Sequence, residues 1–199
     1  MSNFTISAPE GNSIPIIEAG MYPAVCIAII DIGDQYNKAF DKYSRNCIFQ
    51  WEIPDELVTI DGEEKPRVIS ETYTASLAEK ATLRKALESW RGREFTPDEL
   101  TCFDLENVLG TPCMLNIIHK ENAKGNKFAK ISTITRLPKG MTVSTETPKK
   151  IFSLKDPDAL ERINDFPEWI QNRIRESATY TAMTAGDFTE VEDNGELPF

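Results

Sequence analysis

The chain has 199 residues, 40% of them apolar, and carries a formal net charge of -10 at pH 7, which suits one domain of moderate size with appendages. No run of about 18 apolar residues occurs, and the start Met1-Ser2-Asn3-Phe4-Thr5 lacks the basic-then-apolar order of a secretory leader, so a soluble intracellular protein is expected. Cys26, Cys47, Cys102 and Cys113 are irregularly spaced, with no CxxC pair and only His119 as a histidine; no zinc centre and no cofactor are expected, and Cys26, Cys47 and Cys113 read as reduced core residues.

After an N-terminal arm over 1–19, residues 22–32 (YPAVCIAIIDI) form a long β-branched run that predicts a first strand buried on much of both faces. Residues 33–44 are polar, turn-rich and basic-aromatic. In 45–53 (RNCIFQWEI), Cys47, Phe49, Trp51 and Ile53 alternate with Ile48, Gln50 and Glu52, which predicts a second strand. The Asp61-Gly62 turn signal then precedes 67–74, where Arg67, Ile69, Glu71 and Tyr73 alternate with Val68, Ser70, Thr72 and Thr74. That is strand three, reached through a long hairpin.

The period then changes. Ser76 and Glu79 have the spacing of a capping box, which starts a helix at Leu77; Leu83, Leu87 and Trp90 make its apolar stripe and Gly92 offers a stop. Thr96 and Glu99 repeat the box with Pro97 at the first helical position, and 104–109 (DLENVL) is a further helical turn closed by Gly110. Residues 112–120 and 127–135 are two more strands, joined through a turn at Gly125. Residues 141–164 read as a linker, and 167–177 as a short helix presenting Trp169, Ile170, Arg173 and Ile174, whose apolar side docks on the sheet domain or on a second subunit. The stretch 178–199 reads as a flexible tail: 186–199 contains Asp187, Glu190, Glu192, Asp193 and Glu196 and no base, a composition that predicts disorder.

Three strands, a helical insertion and a two-stranded hairpin are the element order of the OB-fold, a five-stranded Greek-key barrel, here over 20–140. A split α+β sheet satisfies the same order if the strands pair differently. In an OB barrel, single-stranded nucleic acid runs across strands two and three between the loops joining strands one to two and four to five. The first loop interleaves Tyr36, Phe40 and Tyr43 with Lys38, Lys42 and Arg45, rings for stacking and cations for phosphate. The second carries Lys120, Lys124, Lys127 and Lys130, with Phe128 read as a core residue. Trp51, Arg67 and Tyr73 on the intervening strands complete the candidate set, with Arg91 and Arg93 of a Trp-Arg-Gly-Arg turn as further phosphate ligands. Each has an ordinary alternative: Phe40 or Tyr43 as a loop anchor, Trp51 as core, the lysines as a solvated face. The charge of -10 does not oppose this reading, because five of the acids lie in 186–199 and the bases cluster elsewhere.

The ending Asp193-Asn194-Gly195-Glu196-Leu197-Pro198-Phe199 resembles the C-terminal tip of bacterial and phage single-stranded DNA-binding proteins, although a Gly-Glu pair stands where bacterial tips usually continue with Asp. The resemblance implies a docking peptide in which Asp193, Glu196, Leu197, Pro198 and Phe199 engage replication or recombination proteins. Leu83-Arg84-Lys85-Ala86-Leu87-Glu88-Ser89-Trp90-Arg91-Gly92-Arg93, with Tyr73-Thr74-Ala75-Ser76, Leu109-Gly110 and Cys113-Met114-Leu115-Asn116, is similar to a family of small phage and prophage replication-region proteins. That likeness, over roughly 20–140, implies an OB-fold and single-stranded DNA binding in a bacterial host cytoplasm. No phosphate loop, nucleophile elbow or H-E-x-x-H helix occurs, so no catalytic residues are expected. The competing expectation is a non-enzymatic acidic DNA mimic that occupies a host DNA-binding protein.

Overall fold

A computed structural model describes residues 15–60 and 62–185. Six strands, β1 (Gly20–Asn37), β2 (Lys42–Ile60), β3 (Glu63–Thr74), β4 (Pro112–Glu121), β5 (Lys127–Thr135) and β6 (Lys150–Phe152), are joined by α1 (Thr82–Arg91), α2 (Pro97–Thr101), α3 (Ala159–Arg162), α4 (Glu168–Arg175) and α5 (Ala178–Ala185). The fold is mainly β. Its sheet has the order β3-β2-β1-β4-β5, antiparallel throughout and curled into a half-barrel, with β6 added parallel to β1. Among the described residues no hydrogen-bonded pairing joins the ends β3 and β5, so the ladder is not the closed cylinder that the element order suggested. The helix α1 sits in that gap, where the Ser89 hydroxyl donates to the Ile134 carbonyl of β5 (2.7 Å) and Glu71 of β3 bridges Lys130 of β5 (3.4 Å).

β1 has a core on each face, and a bulge explains how one strand serves both. Ala24 and Cys26 point into the half-barrel, the register slips between Cys26 and Ala28, and from there Ile29 points in while Ala28, Ile30 and Ile32 point out. One extra residue reverses the alternation for everything that follows it. The inner core stacks Phe49 on Trp51 (centroids 5.6 Å apart) and sets Trp51 against Trp90 of α1 (6.0 Å), with Leu83 and Leu87 beside them. The outer face of β1 and Ile48 of β2 are covered by Phe152, Leu154, Ala159, Ile163, Ile170 and Ile174.

The C-terminal third is therefore built into the domain. β4 occupies the edge of β1 only over Gly20–Val25, which leaves Ala28–Ile30 free to pair with β6. Asp31 fixes the next turn, accepting from Nε and Nη2 of Arg45 and from the amides of Gly33 and Leu154. Gly33 has φ +71°, and a Cβ there would stand 2.7 Å from Ser177 Oγ, so only glycine allows the C-terminal helices this close. The apolar side of α4, Ile170 and Ile174, docks on the chain's own sheet, and α5 occupies the first part of the stretch read as tail. Among the described residues no helix is long and apolar enough to cross a membrane.

Candidate nucleic-acid interface

The predicted loop between the first two strands is mostly strand. The ladder continues through Asp34↔Arg45, Gln35↔Ser44, Tyr36↔Tyr43 and Asn37↔Lys42, leaving a turn of 38–41 in which Asp41 takes φ 49°. The Asn37 side chain accepts from the Ala39 amide (3.0 Å), the local bond that lets asparagine close a turn. The cross-strand partners Tyr36 and Tyr43 meet with ring centroids 5.2 Å apart at 50°. The Tyr36 hydroxyl donates to the Asp41 carboxylate, a bond that holds the phenol above its ordinary range. Tyr36, Phe40 and Tyr43 are 49%, 71% and 60% exposed, and the Lys42 ammonium lies 5.8 Å from the Phe40 centroid. Lys38 is exposed and makes no hydrogen bond or ion pair among the described residues.

Arg45, two residue pairs below Tyr36 and Tyr43, is not part of this tip. Its guanidinium is committed to Asp31, and that pair ties β1 and β2 to Leu154. Below the tip lies a polar cleft of about 410 Å3 between the hairpin stem, Thr74 at the end of β3, and α4.

The lysines of the second predicted loop lie on the β4–β5 hairpin. Asn122 organises its turn, accepting from the amides of Lys124 (2.9 Å) and Asn126 (3.0 Å), and Lys120, Lys124 and Lys127 are exposed. Phe128, expected in the core, is 41% exposed opposite Lys120. Lys130 is the partner of Glu71, whose carboxyl is raised by burial and partly lowered again by that lysine. The register does not put the two hairpin tips at one end of the sheet. β1 is antiparallel to both β2 and β4, so the β1–β2 tip leaves its C-terminal end and the β4–β5 tip leaves beyond Gly20 at its N-terminal end. The seam of β3, β5 and α1 forms a cleft of about 460 Å3 lined by Glu71, Thr72, Lys85, Lys130 and Thr133 among others.

Several sequence-predicted residues are structural. Trp51 is 0% and Tyr73 8% exposed, both inside the half-barrel, because their parity follows Cys47 and Phe49. No base reaches Trp51 without unfolding the core, whereas Tyr73 also lines the seam cleft. Arg91 is sandwiched over Phe95 (4.4 Å) and Phe103 (5.1 Å) and bonded to Glu99, while Arg93 makes two bonds to the same carboxylate (2.9 and 2.7 Å). Arg93 first, then the Thr96 amide and Arg91, pull the Glu99 pKa down to about 2. The Trp-Arg-Gly-Arg turn therefore locks α1 to α2. Arg67 is half-buried and donates to the Pro15 carbonyl, which holds the incoming arm. Covering of Ile48 by the C-terminal helices, and of Glu52 by the Thr145 and Thr147 hydroxyls, also removes much of the outer face of β2 from access. Asp193, Glu196, Leu197, Pro198 and Phe199 lie outside the described residues.

The chain matches no protein-family model and no curated protein.

Proposed function

We propose that the chain is a non-enzymatic single-stranded DNA-binding protein on an OB-type barrel, serving phage-type DNA replication or recombination in a bacterial cytoplasm. The β1–β2 hairpin carries this reading: Tyr36, Phe40 and Tyr43 are exposed, belong to neither core and are interleaved with Lys38 and Lys42. Rings of this kind accept any base face, and interleaved lysines meet the phosphates between bases, so sequence-tolerant binding of an unpaired strand follows. The strand order, with α1 inserted between β3 and β4 and filling the gap at β3 and β5, supports the barrel type. Because the outer face of β2 is covered, the strand passes from the β1–β2 tip toward β3 and the seam with β5, where Lys85 lies and Lys130 pairs with Glu71.

The acidic stretch 186–199 recruits replication or recombination enzymes through Leu197, Pro198 and Phe199 and competes weakly with DNA for the basic surface. Gel-shift titrations of oligo-dT and of a duplex at several salt concentrations test the proposal. Tight binding of the single strand, weakening as salt rises and unchanged or stronger after deletion of 186–199, is the expected result. Absence of single-strand binding at low salt favours the acidic-mimic reading that the charge of -10 motivates.

A further inference from the structure

Packing accounts for two of the chain's three tryptophans and not for the third. Trp51 and Trp90 are buried, whereas Trp169 on α4 is 48% exposed beside Ile170, which is fully buried. One turn on, Arg173 shares the flank of Trp169, because residues four apart on a helix are surface neighbours. The backbone carbonyl of Arg173 accepts from the Gln35 side chain of β1 (2.8 Å), which pins α4 against the stem of the aromatic hairpin, and Thr179 at the start of α5 bonds the amide and carboxylate of Asp34 (2.9 and 2.8 Å). The Arg173 guanidinium makes no hydrogen bond or ion pair among the described residues. It lines the same polar cleft as Tyr36, Lys38 and Asn46.

We infer that α4 is the continuation of the nucleic-acid path: a single strand held at the hairpin tip crosses this cleft, its phosphates meeting Lys38 and Arg173 and a base stacking on Trp169. The inference rests on the single-strand reading and extends it to an element outside the five-stranded sheet. Its chemistry repeats that of the hairpin, a ring and a free cation side by side on the surface. Glu176, the one carboxylate lining the cleft, opposes a phosphate there and sets an upper limit on how tightly the strand is held.

The exposure difference supplies its own probe. In the full-length protein, saturating oligo-dT quenches tryptophan fluorescence and shields it from acrylamide, and both effects vanish in Trp169→Phe. Trp169→Ala weakens oligo-dT binding about 5- to 150-fold without lowering the thermal midpoint. Arg173→Glu weakens binding and makes the salt dependence shallower by about 0.7 of log–log slope, Arg173→Lys keeps most of the affinity, and Glu176→Gln tightens it. Unchanged fluorescence and acrylamide access at saturation would overturn the inference. So would wild-type affinity in Trp169→Ala and Arg173→Glu while Tyr43→Ala binds poorly, an outcome that keeps the hairpin and removes α4. A wild-type protein that binds no oligo-dT removes both.

Discussion

Replacing Tyr43 by alanine separates binding from folding, because its ring is 60% exposed, belongs to neither core and has Tyr36 as its ring partner. The pair is worth at most about 0.5–1.5 kcal/mol, toward the low end for two exposed rings, so the thermal midpoint barely moves. The same ring contributes about 1–3 kcal/mol for each base it stacks, which is about 5- to 150-fold in Kd. Since the centroids are 5.2 Å apart, a base resting on one ring also touches the other, and Tyr36→Ala combined with Tyr43→Ala loses less affinity than the two single losses together. Trp51→Ala is the contrasting variant: it hollows the core and costs about 3–5 kcal/mol of stability. Fluorescence anisotropy with labelled oligo-dT, alongside thermal melts, reads both quantities. Tyr43→Ala binding within two-fold of wild type, in a protein that melts normally, would refute the stacking argument.

Other consequences are equally direct. Lys38→Ala with Lys42→Ala removes two phosphate contacts, so the log–log salt slope measured in the same titrations falls by about 0.7 for each contact, where neutral hairpin lysines would leave it unchanged. Glu99 is held near pKa 2, below its ordinary 4.5; a depressed carboxyl stabilises the fold above its unfolded pKa and loses that contribution as pH falls toward 2. Acid melts of Glu99→Gln should therefore show a flatter loss of stability between pH 4.5 and 2 than wild type, and parallel curves would contradict the lock between α1 and α2. Burial pushes the Cys26 and Cys47 thiols to about 12 and the Cys113 thiol upward as well, while Cys102 is exposed. Alkylation of the native protein at neutral pH adds one label by mass spectrometry, at Cys102; rapid labelling of a second cysteine would contradict the buried core.

Strand order in the chain was legible because it depends on runs and alternations that one residue type cannot hide. Strand five over 127–135 and the box at Thr96 match the structure to the residue, the latter because Pro97 presets the first helical φ. The similar pattern at Ser76 misleads. Its hydroxyl accepts from Ala78 (3.2 Å) in a local turn, Leu77 packs on the core, and the helix starts at Thr82. Polar composition concealed that 33–37 and 42–44 are paired strand, since an exposed hairpin stem needs no apolar alternation. The second core was legible only in outline: the apolar run of 22–32 announced burial on both faces, and the apolar side of the 167–177 helix was expected on the sheet domain or on a second subunit, but a bulge shifts parity without any residue signature, so which side chains of β1 face those helices was not readable.

For the candidate site, the interleaving of Tyr36, Lys38, Phe40, Lys42 and Tyr43 was readable in the sequence, and the structure leaves all three rings exposed. Which cations are already spent was not. Arg45, Arg91 and Arg93 look like free guanidiniums in the sequence, and each meets its carboxylate only through folding: Asp31 across a strand pair, Glu99 across a helix junction. Arg173 was passed over for the converse reason, as its place beside the hairpin comes from long-range packing of α4.

Photo-crosslinking tests the central claim most directly: oligo-dT carrying a photoreactive thymine is bound to the full-length protein at low salt, irradiated, digested and mapped by mass spectrometry. Adducts concentrated on Tyr36, Phe40 and Tyr43, competed away by unlabelled single strand and not by duplex, are the predicted result. Adducts absent from the peptide carrying 36–43, or displaced equally well by duplex, would contradict it.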